Sequence, residues 1–232
     1  MLSASCRLPA RDEEGIAMSP IRHLVVLGHP AADSFSHAVA RAYCEGVEAH
    51  GQLAELRDLY ALGFDPLLRA DEIEAGPAAD VRDEVARVHE ATVIALVYPI
   101  WFGMPPAIIK GYVDRVLGAG LTPRAIRDER PHAALAGRHL RIFSASGSTL
   151  PWLEEKGQWT ALRQAFDTYL STIFTLASHE HVHFDAVTDD LPARVVAERL
   201  AETRAAAEQA CARAFEEKRS AELAAKLHRQ PH

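Results

Sequence analysis

From residue 22 onward, short apolar runs alternate with amphipathic stretches. Residues 22–28 carry Leu-Val-Val-Leu and stop at Gly28, which predicts a buried strand. Over 35–50, Ala38, Val39, Ala42, Val47 and Ala49 fall at helical spacing, and Gly51 follows as a stop signal. Residues 52–58 alternate polar and apolar, which predicts an edge strand with one solvated face. Val81, Val85 and Val88 mark the inward face of a helix over 79–90. The continuous apolar run Thr92 to Tyr98 predicts a central strand, and a helix over 106–117 follows it. Gly118, Gly120, Pro123 and Pro131 make 118–137 a long excursion. Beyond it the pattern predicts a strand over 138–143, a helix over 158–176, a strand over 180–184 and a helix over 192–228 with a break near 218. This alternation is that of an α/β fold, a doubly wound five-stranded parallel sheet. Strand 2 on an edge gives the order 2-1-3-4-5, with the switch point between strands 1 and 3.

Composition narrows the class. At 232 residues and 48% hydrophobic content, the chain suits one domain with a sizeable core. The net charge of -7 and the lack of a basic block argue against nucleic acid and anionic lipid. No apolar run approaches the roughly 20 residues that membrane insertion needs. Cys6, Cys44 and Cys211 lie far apart without CxxC spacing, so a reducing cytoplasm is the expected setting. Residues 1–19 lack an apolar stretch and read as a disordered tail, with Met18 a second candidate start; residues 20–232 form the domain. His179, His181 and His183 share one face of the last strand. Side chains there stand about 7 Å apart, so a polar strand face is the expected reading and no metal site is expected.

Two segments at the switch point carry the candidate chemistry. His29-Pro-Ala-Ala-Asp-Ser-Phe-Ser36 follows strand 1 and leads into a helix. Ser34 can cap that helix, and the amides of Phe35 and Ser36 can face an anion, with His29 adding a charge-assisted bond. Pro99-Ile-Trp-Phe-Gly103 follows strand 3: two aromatics and a glycine form a flat turn before the helix opened by Pro105 and Pro106. A third turn, Ser144-Ala-Ser-Gly147, follows strand 4. There is no GxGxxG and no GxxxxGK[ST], so a resident dinucleotide or P-loop site is not expected.

Taken together, these segments resemble the NAD(P)H:quinone oxidoreductase family on a flavodoxin-like fold, over roughly residues 21–185. The resemblance implies a flavin-dependent oxidoreductase that takes hydride from NAD(P)H and passes two electrons to a quinone-type acceptor. It implies FAD, with FMN as the alternative, and a homodimer joined through the helix after Pro106 and the excursion beyond it. Cofactor contacts would come from His29, Ser34, Phe35, Ser36, Pro99, Ile100, Trp101, Phe102, Gly103, Ser144, Ser146 and Gly147, with the amides of Trp101 to Gly103 and of Ser146 and Gly147 as donors. The family's Tyr and His after the third turn fall here on Trp152 and Gln158, which would line the acceptor site. Neither titrates near neutrality, so hydride transfer is expected to depend little on a group of pKa near 6.5. Lys156 is the one cation that loop offers, and no catalytic residue is assigned. This departure keeps open a regulatory flavodoxin-like subunit of the potassium-efflux ancillary type, and an FMN-dependent azoreductase-like enzyme.

Overall fold

The computed structural model describes residues 19–121, 123–128 and 135–227. The segment read as a tail lies, except for Ser19, outside these residues, as does Pro131. Five parallel strands, β1 (Arg22–Leu27), β2 (Leu53–Asp58), β3 (Val93–Pro99), β4 (His139–Ala145) and β5 (Ser178–Phe184), line up in the order β2-β1-β3-β4-β5. The expected order and switch point are therefore present. Helices α1 (Phe35–Ala49) and α9 (Ala193–Leu227) cover one face, packing Tyr43, Val47, Ala207 and Cys211 on Val25, Leu27, Val97 and Phe143. The other face carries α3 (Ala79–Glu90) and α4 (Ala107–Tyr112, widening into a π-type turn over Val113–Leu117). It also carries α7 (Gln158–Leu162), which runs on through a second such turn over Arg163–Thr168 into α8 (Tyr169–Ile173). Tyr112, Leu117 and Phe166 from these helices meet Leu24, Ile94 and Leu96 of the sheet. β3 and β4 are buried along their whole length, as strands covered on both faces must be.

Several sequence expectations are corrected. β2 is the expected edge strand, but both of its faces stay partly open and its polar side chains pair with α3. There Arg57 Nε donates to Glu84 at 3.0 Å and Arg87 pairs with Glu55 at 3.0 Å, while Leu53 and Leu56 stay open to solvent. The long C-terminal helix runs unbroken through residue 218. The loop expected over 148–157 contains α6 (Leu150–Glu155), and α2 (Ala70–Ala75) lies in the stretch before α3. Arg115, 2% exposed, ties that stretch to α4 by pairing with Glu72 at 3.0 Å and Asp80 at 2.9 Å.

Two close contacts set where the site opens. Gly28 ends β1 against α4: a Cβ there would fall 2.5 Å from Ile109 Cγ1. Gly46 lets α9 approach α1, where a Cβ would lie 2.8 Å from that of Ala207. At the opposite end of β1, His23 sits buried in a chain of hydrogen bonds. Tyr43 Oη donates to its Nδ1 at 2.9 Å, its Nε2 donates to Gln52 Oε1 at 2.8 Å, and Gln52 Nε2 donates to the Cys211 carbonyl at 2.9 Å. Burial holds the His23 pKa down to about 4, and that of Tyr43 well above its ordinary value.

Gly28→Ala is expected to destabilise the fold by about 1–3 kcal/mol, because Ile109 is fully packed and cannot swing away. Urea unfolding measures it, and an unchanged midpoint would contradict the contact. For His23 the unfolded chain binds the extra proton first, so stability falls as pH drops from about 6.5 toward about 4. This one residue contributes about 3 kcal/mol to the fall. A urea midpoint that stays flat from neutral pH down through that window would contradict a neutral, buried His23.

Candidate functional site

A cleft of about 630 Å³ opens at the carboxyl ends of β1, β3, β4 and β5. This is the crevice that strand-order reversal creates, and its size suits a cofactor. Of the sequence candidates, His29, Ser34, Phe35, Ser36, Pro99, Ile100, Trp101, Ser146 and Gly147 line it. Ala31, Asp33, Ala38 and Ala145 join them, and the facing wall is Val187, Thr188, Asp189 and Leu191, from the connection between β5 and α9, with Val196 of α9. No sequence pattern marked that wall.

One end of the cleft is the start of α1. Ser34 is the N-cap, its Oγ accepting the amide of His37 at 3.3 Å. The first amides of the helix, those of Phe35 and Ser36, have no intrahelical partner, and the helix dipole adds positive potential. His37 Nδ1 lies 2.9 Å from Ser34 Oγ, and its Nε2 lies 2.9 Å from Asp58 Oδ2. His37 thus ties the capping hydroxyl of α1 to the end of β2. His29 differs from the expectation. Its Nδ1 accepts the Ala31 amide at 3.1 Å, and burial lowers its pKa. With Nδ1 held by Ala31, 3.1 Å from its amide and 3.3 Å from its carbonyl, Nε2 is the ring nitrogen left for the cleft. Its ring stands 5.9 Å from that of Trp101, joining the two ends of the site.

The other end is the aromatic turn. Trp101 and Met104 exchange both backbone hydrogen bonds, at 3.0 and 3.1 Å, so Phe102 and Gly103 are the two central residues of a tight hairpin. Both have positive φ, 51° and 80°. That suits Gly103 but costs about 1–2 kcal/mol at Phe102, whose side chain is fully exposed at the tip. A strained, exposed aromatic beside a cleft is a feature that packing alone does not explain. Of the amides expected to meet a ring, Trp101 donates to Met104 and Ser146 donates to the Phe184 carbonyl at 3.0 Å. Phe102, Gly103 and Gly147 are left, among the described residues, as the amides of that set without a backbone partner.

The third turn is corrected most. Ser144 does not line the cleft: β4 runs on to Ala145, so Ser144 is an interior strand residue, 1% exposed. Its Oγ lies 2.6 Å from His181 Nε2 and 2.8 Å from His183 Nδ1. Trp152 stands half exposed on α6 and is not among the cleft residues. Gln158 lies over the aromatic turn, close enough that a Cβ on Gly103 would meet its Oε1 at 2.1 Å. Lys156 pairs with Glu155 at 2.9 Å. Next to Gln158, Trp159 covers the two histidines with its ring 4.9 Å from each, a placement that no sequence pattern marks.

A Haemophilus influenzae protein named as an uncharacterized NAD(P)H oxidoreductase is 28% identical over 174 residues, 73% of this chain and 84% of that protein. NAD(P)H dehydrogenase (quinone) 1 of Cavia porcellus is 30% identical over 134 residues, 47% of this chain and 48% of its own length. The chain thus matches about half of that relative. Among solved structures, an NAD(P)H:quinone oxidoreductase from Methanothermobacter marburgensis superposes with a TM-score of 0.67 at 21% identity, covering 82% of this chain and 98% of that one. An FMN-dependent NADH-azoreductase of Bacillus anthracis, solved with FMN, gives 0.60 at 16%, covering 82% and 99%. At such identities the superpositions speak for the fold alone. Residues 21–211 match the family described by its flavodoxin-like fold, and the chain belongs to that family.

Proposed function

We propose that the cleft holds a flavin and that the protein is an NAD(P)H oxidoreductase passing two electrons to a quinone-type acceptor. The observation that carries this reading is one crevice that has the start of α1, with its free amides, at one end and Trp101, the first residue of a strained aromatic turn, at the other. Names of relatives support it: NAD(P)H oxidoreductase for the Haemophilus protein and NAD(P)H dehydrogenase (quinone) for the Cavia one. Ser34, the amides of Phe35 and Ser36, and His29 Nε2–H would hold phosphate. Trp101 and Ile100 would flank the flat ring, with the amides of Phe102, Gly103 and Gly147 toward its polar edge. When bound, the flavin supplies the hydride and two-electron chemistry. The residues would supply its position, apolar contacts from Val187 and Leu191, and hydrogen-bond donors.

FAD is the cofactor we favour, because the His29 to Ser36 loop resembles the pyrophosphate-binding form; FMN, present in the Bacillus neighbour, is the alternative. The acceptor would stack on the aromatic turn beside Gln158, with Trp152 at the margin. A homodimer through α4 and the following excursion, in a cytoplasmic setting, completes the reading. The regulatory alternative draws on the altered Trp152 and Gln158 positions. A yellow protein that oxidises NAD(P)H supports the enzyme, and a colourless one that takes up no flavin supports the regulatory subunit.

Replacing Trp101 and Phe102 together by Ala is expected to lower flavin occupancy, and full retention of the visible flavin absorbance through dialysis would contradict the ring's placement. His29→Ala is expected to weaken flavin binding by about 0.5–1.5 kcal/mol, the range for a neutral hydrogen bond. A much larger loss in calorimetry would mean that a charged His29 is at work. Without flavin, Phe102→Gly is expected to be more stable than Phe102→Ala by about 1 kcal/mol, reversing the usual order, because only Gly is unstrained at positive φ. An Ala variant at least as stable as the Gly one in thermal melts would contradict a strained turn.

A further inference from the structure

Behind the third turn runs a buried hydrogen-bonded chain that the function above does not use. Asp167 Oδ2 lies 2.6 Å from His181 Nδ1, and both side chains are 0% exposed. His181 Nε2 lies 2.6 Å from Ser144 Oγ, which lies 2.8 Å from His183 Nδ1. His183 Nε2 lies 3.1 Å from Ser146 Oγ, which donates to the Ser148 carbonyl at 2.8 Å and lines the cleft. The register of β4 and β5, with Ser144 opposite His183, brings these residues together.

Counting donors fixes the protons. The single hydrogen of Ser146 goes to a carbonyl, so His183 Nε2 must donate to Ser146. Burial and the neighbouring His181 hold the His183 pKa down to about 4, so at neutral pH its Nδ1 is bare and accepts from Ser144. The hydrogen of Ser144 is then spent, and His181 Nε2 must donate to it. His181 Nδ1 and Asp167 Oδ2 cannot face each other at 2.6 Å with two lone pairs, so one more proton lies between them. The loaded pair carries one proton beyond the state of a neutral histidine beside a carboxylate.

Resting on the reading of the cleft as an oxidoreductase site, we propose that Asp167 and His181 store this proton and deliver it through Ser144 and His183 to Ser146, which hands it to the acceptor. A quinone-type acceptor that receives a hydride still needs one proton for its second oxygen. Ser146 turns its O–H from the Ser148 carbonyl to that oxygen and takes the proton from His183 Nε2. His183 Nδ1 takes the proton from Ser144, and Ser144 takes the one on His181 Nε2. His181 is left neutral, with Nδ1–H on the Asp167 carboxylate. One proton has moved and no electron has; the bonds linking Ser146, His183, Ser144 and His181 survive with their direction reversed, the His181 Nδ1–H stays on Asp167, and the Ser146 bond to the Ser148 carbonyl is given up until the chain reloads. Water in the open cleft reloads the chain by the same steps in reverse.

The surroundings favour storage. Asp167 Oδ1 is buried without a partner among the described residues, as is Tyr98 Oη from β3, whose phenol burial keeps protonated. Arg163 approaches Asp167 only to 3.6 Å, and Trp159 covers the histidines. Asp185 and Arg199 act on His183 in opposite directions. His181 and His183 are thus positioning residues acting through Ser146.

Imidazole nitrogen NMR of the purified chain tests the stored proton without any turnover. The expected result at neutral pH is a His183 ring protonated on Nε2 alone and a His181 ring protonated on Nε2 with a further proton held in the hydrogen bond between its Nδ1 and Asp167. Two histidines titrating independently near 6.5 would overturn the proposal. Stopped-flow kinetics of the holoenzyme test delivery. Ser144→Ala is expected to slow oxidation by a quinone about a hundredfold and abolish its solvent deuterium isotope effect, far more than it slows reduction by NAD(P)H. Ser144→Thr, which keeps the hydroxyl, is expected to restore both. Wild-type oxidation with an unchanged isotope effect in the Ala variant would overturn delivery. Failure of the wild-type protein to be reduced by NAD(P)H would instead sink the oxidoreductase reading, and it registers before any quinone is added.

Discussion

The constraint on which this molecule depends is the reversal of strand order between β1 and β3. Parallel strands need crossovers, and crossovers of one hand leave β1 and β3 toward opposite faces of the sheet. α1 therefore packs on the Val25 and Leu27 face, and α4 packs on the Leu24 and Val26 face. The two chain segments part just where β1 and β3 end, and no backbone fills the gap. Gly28 lets α4 close against β1 below that gap, so the crevice is open above and sealed beneath. Every cleft residue follows from which strand end it leaves.

Within the crevice, polar and apolar work is divided by secondary structure. In the proposed reading anion binding falls to a helix start, where free amides exist whatever the sequence, and Ser34 caps that start within reach of His37, itself 2.9 Å from Asp58. Stacking falls to a hairpin that holds Phe102 at a positive φ. A rigid sheet lets such a turn stay strained, because Ile100 is fastened to the Ala145 carbonyl at 2.7 Å and Trp101 to Met104. The chemistry thus sits on short connections whose ends are fixed by fully buried strands.

Much of this was legible in the sequence. The run Thr92 to Tyr98 ending at Pro99 marks a central strand, and the alternation of strands and helices is enough to give the sheet order. Ser34 before an amphipathic stretch marks a helix cap that lies at the cleft. What escaped depends on tertiary register or on exact strand ends. Ser144 reads as a turn residue when the strand is ended at 143; two more residues of β4 bury it and turn it toward β5. The amides of Trp101 and Ser146 look available until the backbone bridges that use them are seen. His29 looks charged until its bond to Ala31 and its burial are known. His181 and His183 share a strand face by their spacing, but nothing in the sequence joins them to Asp167 and Trp159; the β4–β5 register and the π-type turn bring the four together.

The central claim is that one ligand touches both ends of the crevice at once, its phosphate at the start of α1 and its ring at the aromatic turn. Amide hydrogen exchange with and without added flavin tests this most directly. The account predicts slowed exchange at the amides of Phe35 and Ser36, of Phe102 and Gly103, and of Gly147, with the far edge of the sheet around Leu53 to Leu56 unaffected. Protection confined to some other surface, or absent from either end of the crevice while flavin is bound, would contradict it.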